Sequence, residues 1–209
     1  RAQKSQLNLE KERAQEIKEA YYATISFVDT QVGRILDHLE ASGLNENTIV
    51  VFTSDHGYHM GEHGHWQKQT LFENSTRVPL IFSGPGIPSG VSSNSPVELI
   101  DIYPTLTEIT KIETPSHVVG KSLVPIFNDN NFKVRESALT RWKASQNNKE
   151  FEGYSIKTER YRVTKWGENG EDGFELYDHS NDPEEMLNLA NNINYKIILD
   201  SLKLHLDLR

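Results

Sequence analysis

Cysteine is absent from all 209 residues. No disulfide framework and no thiolate metal site can form, so a metal would have to be held by histidine, carboxylate or other oxygen donors. Long hydrophobic runs are missing too. No stretch approaches the roughly 20 apolar residues that a membrane-spanning helix needs. Positive charge is scarce: 22 Lys and Arg stand against 30 Asp and Glu, a net charge of -8. A sequence-independent nucleic-acid binder needs a basic face, and no run of Lys or Arg supplies one. An acidic chain that handles an anionic substrate must concentrate its positive charge locally. The first residues, Arg1-Ala2-Gln3-Lys4, lack a signal-peptide pattern, and neither an internal repeat nor a low-complexity tract occurs. What is present, 36% hydrophobic and 25% charged residues with a mean hydropathy of -0.60, fits a soluble globular protein of one domain and a small appendage.

Residues 1–20 are rich in Lys, Glu, Gln and Arg and read as a solvated helix or a ragged start. From Tyr22 onward Ile25, Val28, Val32, Ile35 and Leu39 recur at three- and four-residue steps, which predicts an amphipathic helix stopped near Gly43. After the turn Asn45-Glu46-Asn47 comes a continuous apolar run, Thr48 to Thr53. Such a run suits a strand buried on both faces of a parallel sheet. Ser54-Asp55-His56-Gly57 follows it, at a carboxyl end of a strand where open α/β sheets place ligands. Residues 58–77, polar, aromatic and histidine-rich, read as an active-site loop. Val78 to Phe82 predicts a second buried strand with Pro79 near its start. Ser83-Gly84-Pro85-Gly86 is a turn, and Asp101 to Lys111 predicts a helix.

Beyond Phe127 the texture changes. The stretch Asn128-Asp129-Asn130-Asn131 reads as a linker, so the expected division is 1–127 and 128–209. Alternation at Tyr154 and Ile156, Tyr161 and Val163, and Phe174 and Leu176 predicts short antiparallel strands, with Gly167 to Gly173 as a hairpin loop. Asp182-Pro183-Glu184-Glu185 predicts the start of a terminal helix, with an N-cap, a first-position proline and first-turn acids.

Half of the chain's eight histidines, His56, His59, His63 and His65, fall within ten residues. Three readings stay open: a polar loop that happens to hold histidines, a zinc site, and a site for a hard cation and an anion built on Asp55. The third has a physical basis. Asp55 follows a predicted strand, and calcium and magnesium take oxygen ligands, chiefly carboxylates. His56 adds a neutral ligand or a hydrogen-bond donor, and Gly57 allows a sharp turn. Lys68 closes the loop. A cation and an ammonium flanking one cavity would neutralise a sulfate or phosphate ester and its developing charge.

The stretch from Thr53 through Asp55-His56-Gly57-Tyr58 and Gly61-Glu62-His63-Gly64-His65-Trp66-Gln67-Lys68 resembles the type I sulfatases, in particular the iduronate-2-sulfatase branch. So do Tyr21 to Arg34, Thr76-Arg77-Val78-Pro79-Leu80-Ile81-Phe82, Gly153 to Thr158, and Glu175-Leu176-Tyr177-Asp178 with Asn181-Asp182-Pro183. Each block alone is weak; together, in family order, they are specific. The resemblance implies the C-terminal part of an alkaline-phosphatase-like α/β fold, a mixed or parallel sheet flanked by helices, plus a small α+β C-terminal subdomain with antiparallel strands. It implies that Asp55 and His56 are ligands of one calcium ion, that Lys68 contacts the sulfate oxygens, and that Tyr58, His63 and Trp66 line the pocket. His63 is a local candidate for assisting the leaving group. Arg77 is a candidate for a substrate carboxylate, with a structural salt bridge as the competing reading. The substrates implied are sulfated saccharides, often with a uronate.

The family's nucleophile is a formylglycine made from Cys or Ser in a Cys/Ser-x-Pro-x-Arg motif, and these residues contain no such motif. The resemblance therefore implies an N-terminal part of the same enzyme that carries the formylglycine and the remaining calcium ligands, and a chain that is inactive alone. By analogy it implies a periplasmic, secreted or lysosomal setting. A phosphodiesterase or phosphonate hydrolase of the same superfamily, and a non-catalytic module that kept the fold, are the alternatives.

Overall fold

The computed structural model describes residues 9–146 and 149–209. The chain divides into two compact units, Arg1–Lys68 with Arg77–Ile87, and Gln69–Thr76 with Pro88–Arg209. The expected boundary after residue 127 falls within the second unit.

In the first unit, helix α1 runs without a break from Lys11 to Ala41. Its polar first third is made of Lys, Glu, Arg and Gln, straight-chain residues that lose little freedom in a helix, so helix starts well before the apolar stripe. Residues 1–8 of the expected polar start lie outside the described residues. The helix stops where Gly43 takes φ 69, a left-handed conformation that glycine adopts without a Cβ clash. The apolar stripe of the predicted amphipathic helix is on α1 but uncovered: Tyr22, Ile25, Val28 and Ile35 are exposed, and α1 holds no buried residue.

Strand β1 (Val50–Thr53) pairs with β4 (Leu80–Ser83), and the pairing is antiparallel, Val50 opposite Ser83 and Thr53 opposite Leu80. This differs from the expectation of a strand buried on both faces of a parallel sheet. A continuous apolar run shows only that both faces suit apolar cover, not the direction of its neighbour. Here the cross-strand pair Phe52 and Ile81 is exposed. A two-residue hairpin pair, β2 (His59–Met60) and β3 (Trp66–Gln67), lies between them in sequence.

The second unit takes in the short helix α2 (Glu73–Thr76), α3 (Ile102–Thr110) and α4 (Val124–Asn128). Its sheet is a four-stranded antiparallel meander, β5 (Ala138–Gln146), β6 (Lys149–Lys157), β7 (Tyr161–Trp166) and β8 (Gly173–Asp178). The hairpin loop expected at 167–173 joins β7 to β8. Strand β5 carries no clear alternation in sequence and was not foreseen. One sheet face presents Ile156, Val163 and Leu176, all fully buried with Leu189, Leu199 and Leu206; helix α5 (Lys196–Asp207) supplies the last two. The opposite face carries Gly153, Ser155, Arg162 and Thr164, also buried.

Ahead of α3, Asp101 is completely buried and accepts from the backbone N–H groups of Glu98 and Lys121, both at 2.8 Å, while pairing with Arg135. The helix forecast from Asp101 is thereby fixed at its start, with Pro104 in its first turn.

The terminal helix does not open at Asp182. Asp182 does behave as a cap, accepting the N–H groups of Met186 (3.0 Å) and Leu187 (2.7 Å). However, Glu185 sits at φ 56, which no right-handed helix allows, and its carboxylate is taken by Arg162. The chain instead turns, and helix begins at Lys196. Among the described residues no helix is long and apolar enough to cross a membrane.

Candidate active site

All the residues singled out in the sequence belong to the first unit. Strand β1 delivers the chain to Ser54, whose hydroxyl donates to the carbonyl of His56 at 2.9 Å and tightens the turn. Asp55 accepts from the N–H of His56 at 3.1 Å, and its side chain is 83% exposed, so its carboxylate stays open to a ligand. The His56 ring is oriented from both sides. Its Nδ1 lies 2.8 Å from the carbonyl of Gly57, which can only accept, so Nδ1 carries the proton. Its Nε2 therefore offers a lone pair, and that lone pair faces Nζ of Lys68 at 2.9 Å. Asp55, His56 and Lys68 thus lie together at the end of β1 and its following loop.

Lys68 sits between two non-glycine residues in the left-handed region, Gln67 at φ 88 and Gln69 at φ 76. Such backbone costs of the order of 1–3 kcal/mol per residue and concentrates at functional sites. The hairpin before Lys68 is built around Gly61, at φ 112, with its N–H on the carbonyl of His65 at 2.9 Å. A Cβ at Gly61 would stand 3.2 Å from the Trp66 ring, so the indole lies directly on this backbone. Trp66 therefore packs the hairpin.

Tyr58 stacks on Tyr21 with ring centroids 5.1 Å apart, so α1 sets its orientation. His63, at φ 54, lies edge-on to His59 at 6.0 Å; His65 is 5.6 Å from His59 on another side. His59 is completely buried, and burial, helped by the neighbouring His65 and His63 and opposed by Glu62, pushes its pKa down to about 4. It is a neutral packing residue of the loop. Arg77 is exposed just ahead of β4.

As a metal centre, Asp55 and His56 provide one hard oxygen donor and one imidazole nitrogen. They fit part of a divalent-cation site; calcium, which takes six to eight mostly oxygen ligands, needs further carboxylates or carbonyls. In the second unit a group that the sequence did not reveal, Glu73, His179 and Glu185, brings ligating atoms within 4.8 Å of one another. Arg162, however, pairs with both carboxylates there. Its guanidinium holds the position a cation would take, so the group is an ion network. The only sequence signals for it were the acids Glu73 and Glu185, read as loop and helix-start residues.

The model of the sulfatase family matches residues 2–112, and that of the C-terminal region of N-sulphoglucosamine sulphohydrolase matches residues 61–208. The chain belongs to the sulfatase family. Among curated relatives of this sulfatase chain, a sulfatase of Formosa agariphila is 38% identical over 187 residues, covering 90% of this chain and 35% of the relative. The chain thus spans about a third of the length of the relatives it matches. A solved structure of a protein in complex with its substrate D-glucosamine-2-N,6-O-disulfate is 31% identical with a TM-score of 0.80, over 90% of this chain and 39% of that one. A phosphonate monoester hydrolase of Agrobacterium radiobacter is 27% identical, also with a TM-score of 0.80, over 95% and 42%. The alkaline-phosphatase-like α/β fold with an antiparallel C-terminal part is as expected.

Proposed function

We propose that this chain is the metal- and sulfate-binding portion of a calcium-dependent sulfatase acting on sulfated sugars, with the formylglycine nucleophile on an N-terminal part outside these residues. The observation that carries this is the convergence of Asp55, the His56 lone pair and the Lys68 ammonium 2.9 Å from it. One cation-binding pair and one fixed positive charge side by side suit the anionic sulfate of an ester and the charge that develops as it is cleaved.

In the mechanism we infer, Lys68 turns from His56 Nε2 to the sulfate oxygens, which frees that lone pair, so that Asp55 and His56 would hold the calcium ion and the ion would stabilise charge on the sulfuryl oxygens. Lys68 donates to the same oxygens, and its contribution grows as the S–O bond to the sugar breaks and negative charge develops. His63 delivers a proton to the departing sugar oxygen. Tyr58 and Trp66 line the sugar site, and Arg77 meets the carboxylate of a uronate. A 2-O-sulfated uronate, and with it the iduronate-2-sulfatase branch, is the substrate we favour. A periplasmic, secreted or lysosomal location is proposed by analogy.

The similarity to the phosphonate monoester hydrolase supports a second reading, in which the same positive groups receive a phosphonate. Competition assays on the protein that includes the N-terminal part separate the two. We expect kcat/KM for a sulfated uronoside to exceed that for a phosphonate monoester. The reverse order, with no sulfate released, overturns the sulfatase reading.

A further inference from the structure

Asp55 and His56 are neighbours in sequence, and neighbours on an extended chain point to opposite faces. Strand β1 ends at Thr53, so a chain that simply ran on would carry these two side chains apart. Instead Asp55 Oδ2 lies 3.5 Å from His56 Nε2. Two adjacent residues can hold one cation only where the backbone between them turns, and a contact has to keep it turned.

Ser54 makes that contact. Its hydroxyl donates to the carbonyl of His56 at 2.9 Å and closes a ring across Asp55. Within that ring Asp55 Oδ1 accepts from the N–H of His56 at 3.1 Å, and beyond it the His56 ring is held through Nδ1 by the carbonyl of Gly57 at 2.8 Å. The hydroxyl of Thr53, by contrast, reaches the Ser54 carbonyl at 3.4 Å and spans neither Asp55 nor His56. Ser54 is half-buried, whereas the Asp55 side chain is 83% exposed. An exposed carboxylate loses rotamer freedom when it takes a ligand, and a turn that already aims it lowers that cost.

Resting on the reading of Asp55 and His56 as calcium ligands, we infer that Ser54 is a positioning residue of the metal site, whose hydroxyl holds the turn that makes two adjacent ligands converge. It acts through the His56 carbonyl and is not itself a ligand. Groups of this kind, which orient ligands from outside the coordination shell, govern metal affinity as well as activity.

The test measures calcium binding by calorimetry on the protein that includes its N-terminal part, as wild type, Ser54→Ala and Ser54→Thr. We expect Ser54→Ala to weaken calcium binding about 10–100-fold. Ser54→Thr keeps the hydroxyl and should bind calcium within about three-fold of wild type. Proton NOEs between the Asp55 side chain and the His56 ring should be lost in Ser54→Ala and kept in Ser54→Thr. Sulfate release by Ser54→Ala should recover as calcium is raised, because the defect lies in holding the ion and not in the chemistry. Unchanged calcium affinity in Ser54→Ala would overturn the inference. So would an equal loss in Ser54→Thr, or a loss of turnover that saturating calcium does not restore. Where Ser54→Ala does not fold, Ser54→Cys, which keeps a side chain of similar shape but only a weak donor, carries the same comparison. A wild-type protein that binds no calcium fails the proposed function instead, and the NOEs still decide whether Ser54 holds the turn.

Discussion

At the residue scale, two side chains one turn of loop apart have opposite duties. His56 is kept in the tautomer that presents Nε2, whereas His59 is buried and kept neutral. Spacing alone does not tell them apart, since it marks a histidine cluster but not which ring is enclosed. The pH dependence of each follows from its surroundings. With a folded pKa of about 4 against an ordinary value of 6.5, His59 is protonated more readily in the unfolded chain. Its contribution to stability is therefore complete above pH 6.5 and is lost as the pH falls toward 4. Titration followed by NMR should show the His59 ring uncharged at pH 5; a midpoint near 6.5 would refute its burial. Asp178, held down to about 2 by Arg160 with Ser180 and Asn181 also donating, behaves in the acid range. Its contribution is present above about pH 4 and fades toward pH 2. Asp178→Asn should flatten that part of the acid unfolding curve.

At the element scale, what was legible depended on whether local pattern and final environment agreed. The meander from β6 to β8 was readable because its alternation matches its buried face, and the 167–173 loop fell where glycine and acids cluster. The helix forecast at Asp182 failed because a local cap motif lost to one long-range ion pair. Glu185 gives up helical backbone to reach Arg162, a partner 23 positions earlier in sequence. The direction of β1 could not be read either, because periodicity reports what covers a strand and not which strand lies beside it. The proximity of Asp55, His56 and Lys68 follows from one short motif, whereas the Glu73–Arg162–Glu185 network of the second unit is not legible in sequence, since a buried ion network leaves no spacing signature. The core of the meander makes a direct prediction. Leu176 is fully buried between Val163 and the α5 leucines, so Leu176→Ala should cost about 2–5 kcal/mol in urea unfolding. A loss below about 1 kcal/mol would mean the sheet and α5 do not share one core.

At the scale of the whole molecule, the two units differ in the apolar core they hold. The second unit has a buried core built on Ile156, Val163 and Leu176. The first exposes the Tyr22, Ile25, Val28 and Ile35 stripe and the Phe52–Ile81 pair, more than isolated surface hydrophobics explain. On the proposed reading an N-terminal part would cover these faces, so hydrogen exchange along α1 should slow in a protein that includes it. Calcium should follow the same pattern. Asp55 and His56 alone fall well short of a full coordination shell, so calorimetry should find weak binding to these 209 residues and tight binding once the N-terminal part is present.

The most direct measurement is sulfate release by Lys68→Ala in the protein that includes that N-terminal part. If Lys68 places its charge on the sulfate, kcat/KM for a sulfated uronoside falls by about 100–1,000-fold, the scale of losing one preorganised donor to a developing oxyanion, with the fold retained. Sulfate release at the wild-type rate would contradict the site described around Asp55, His56 and Lys68.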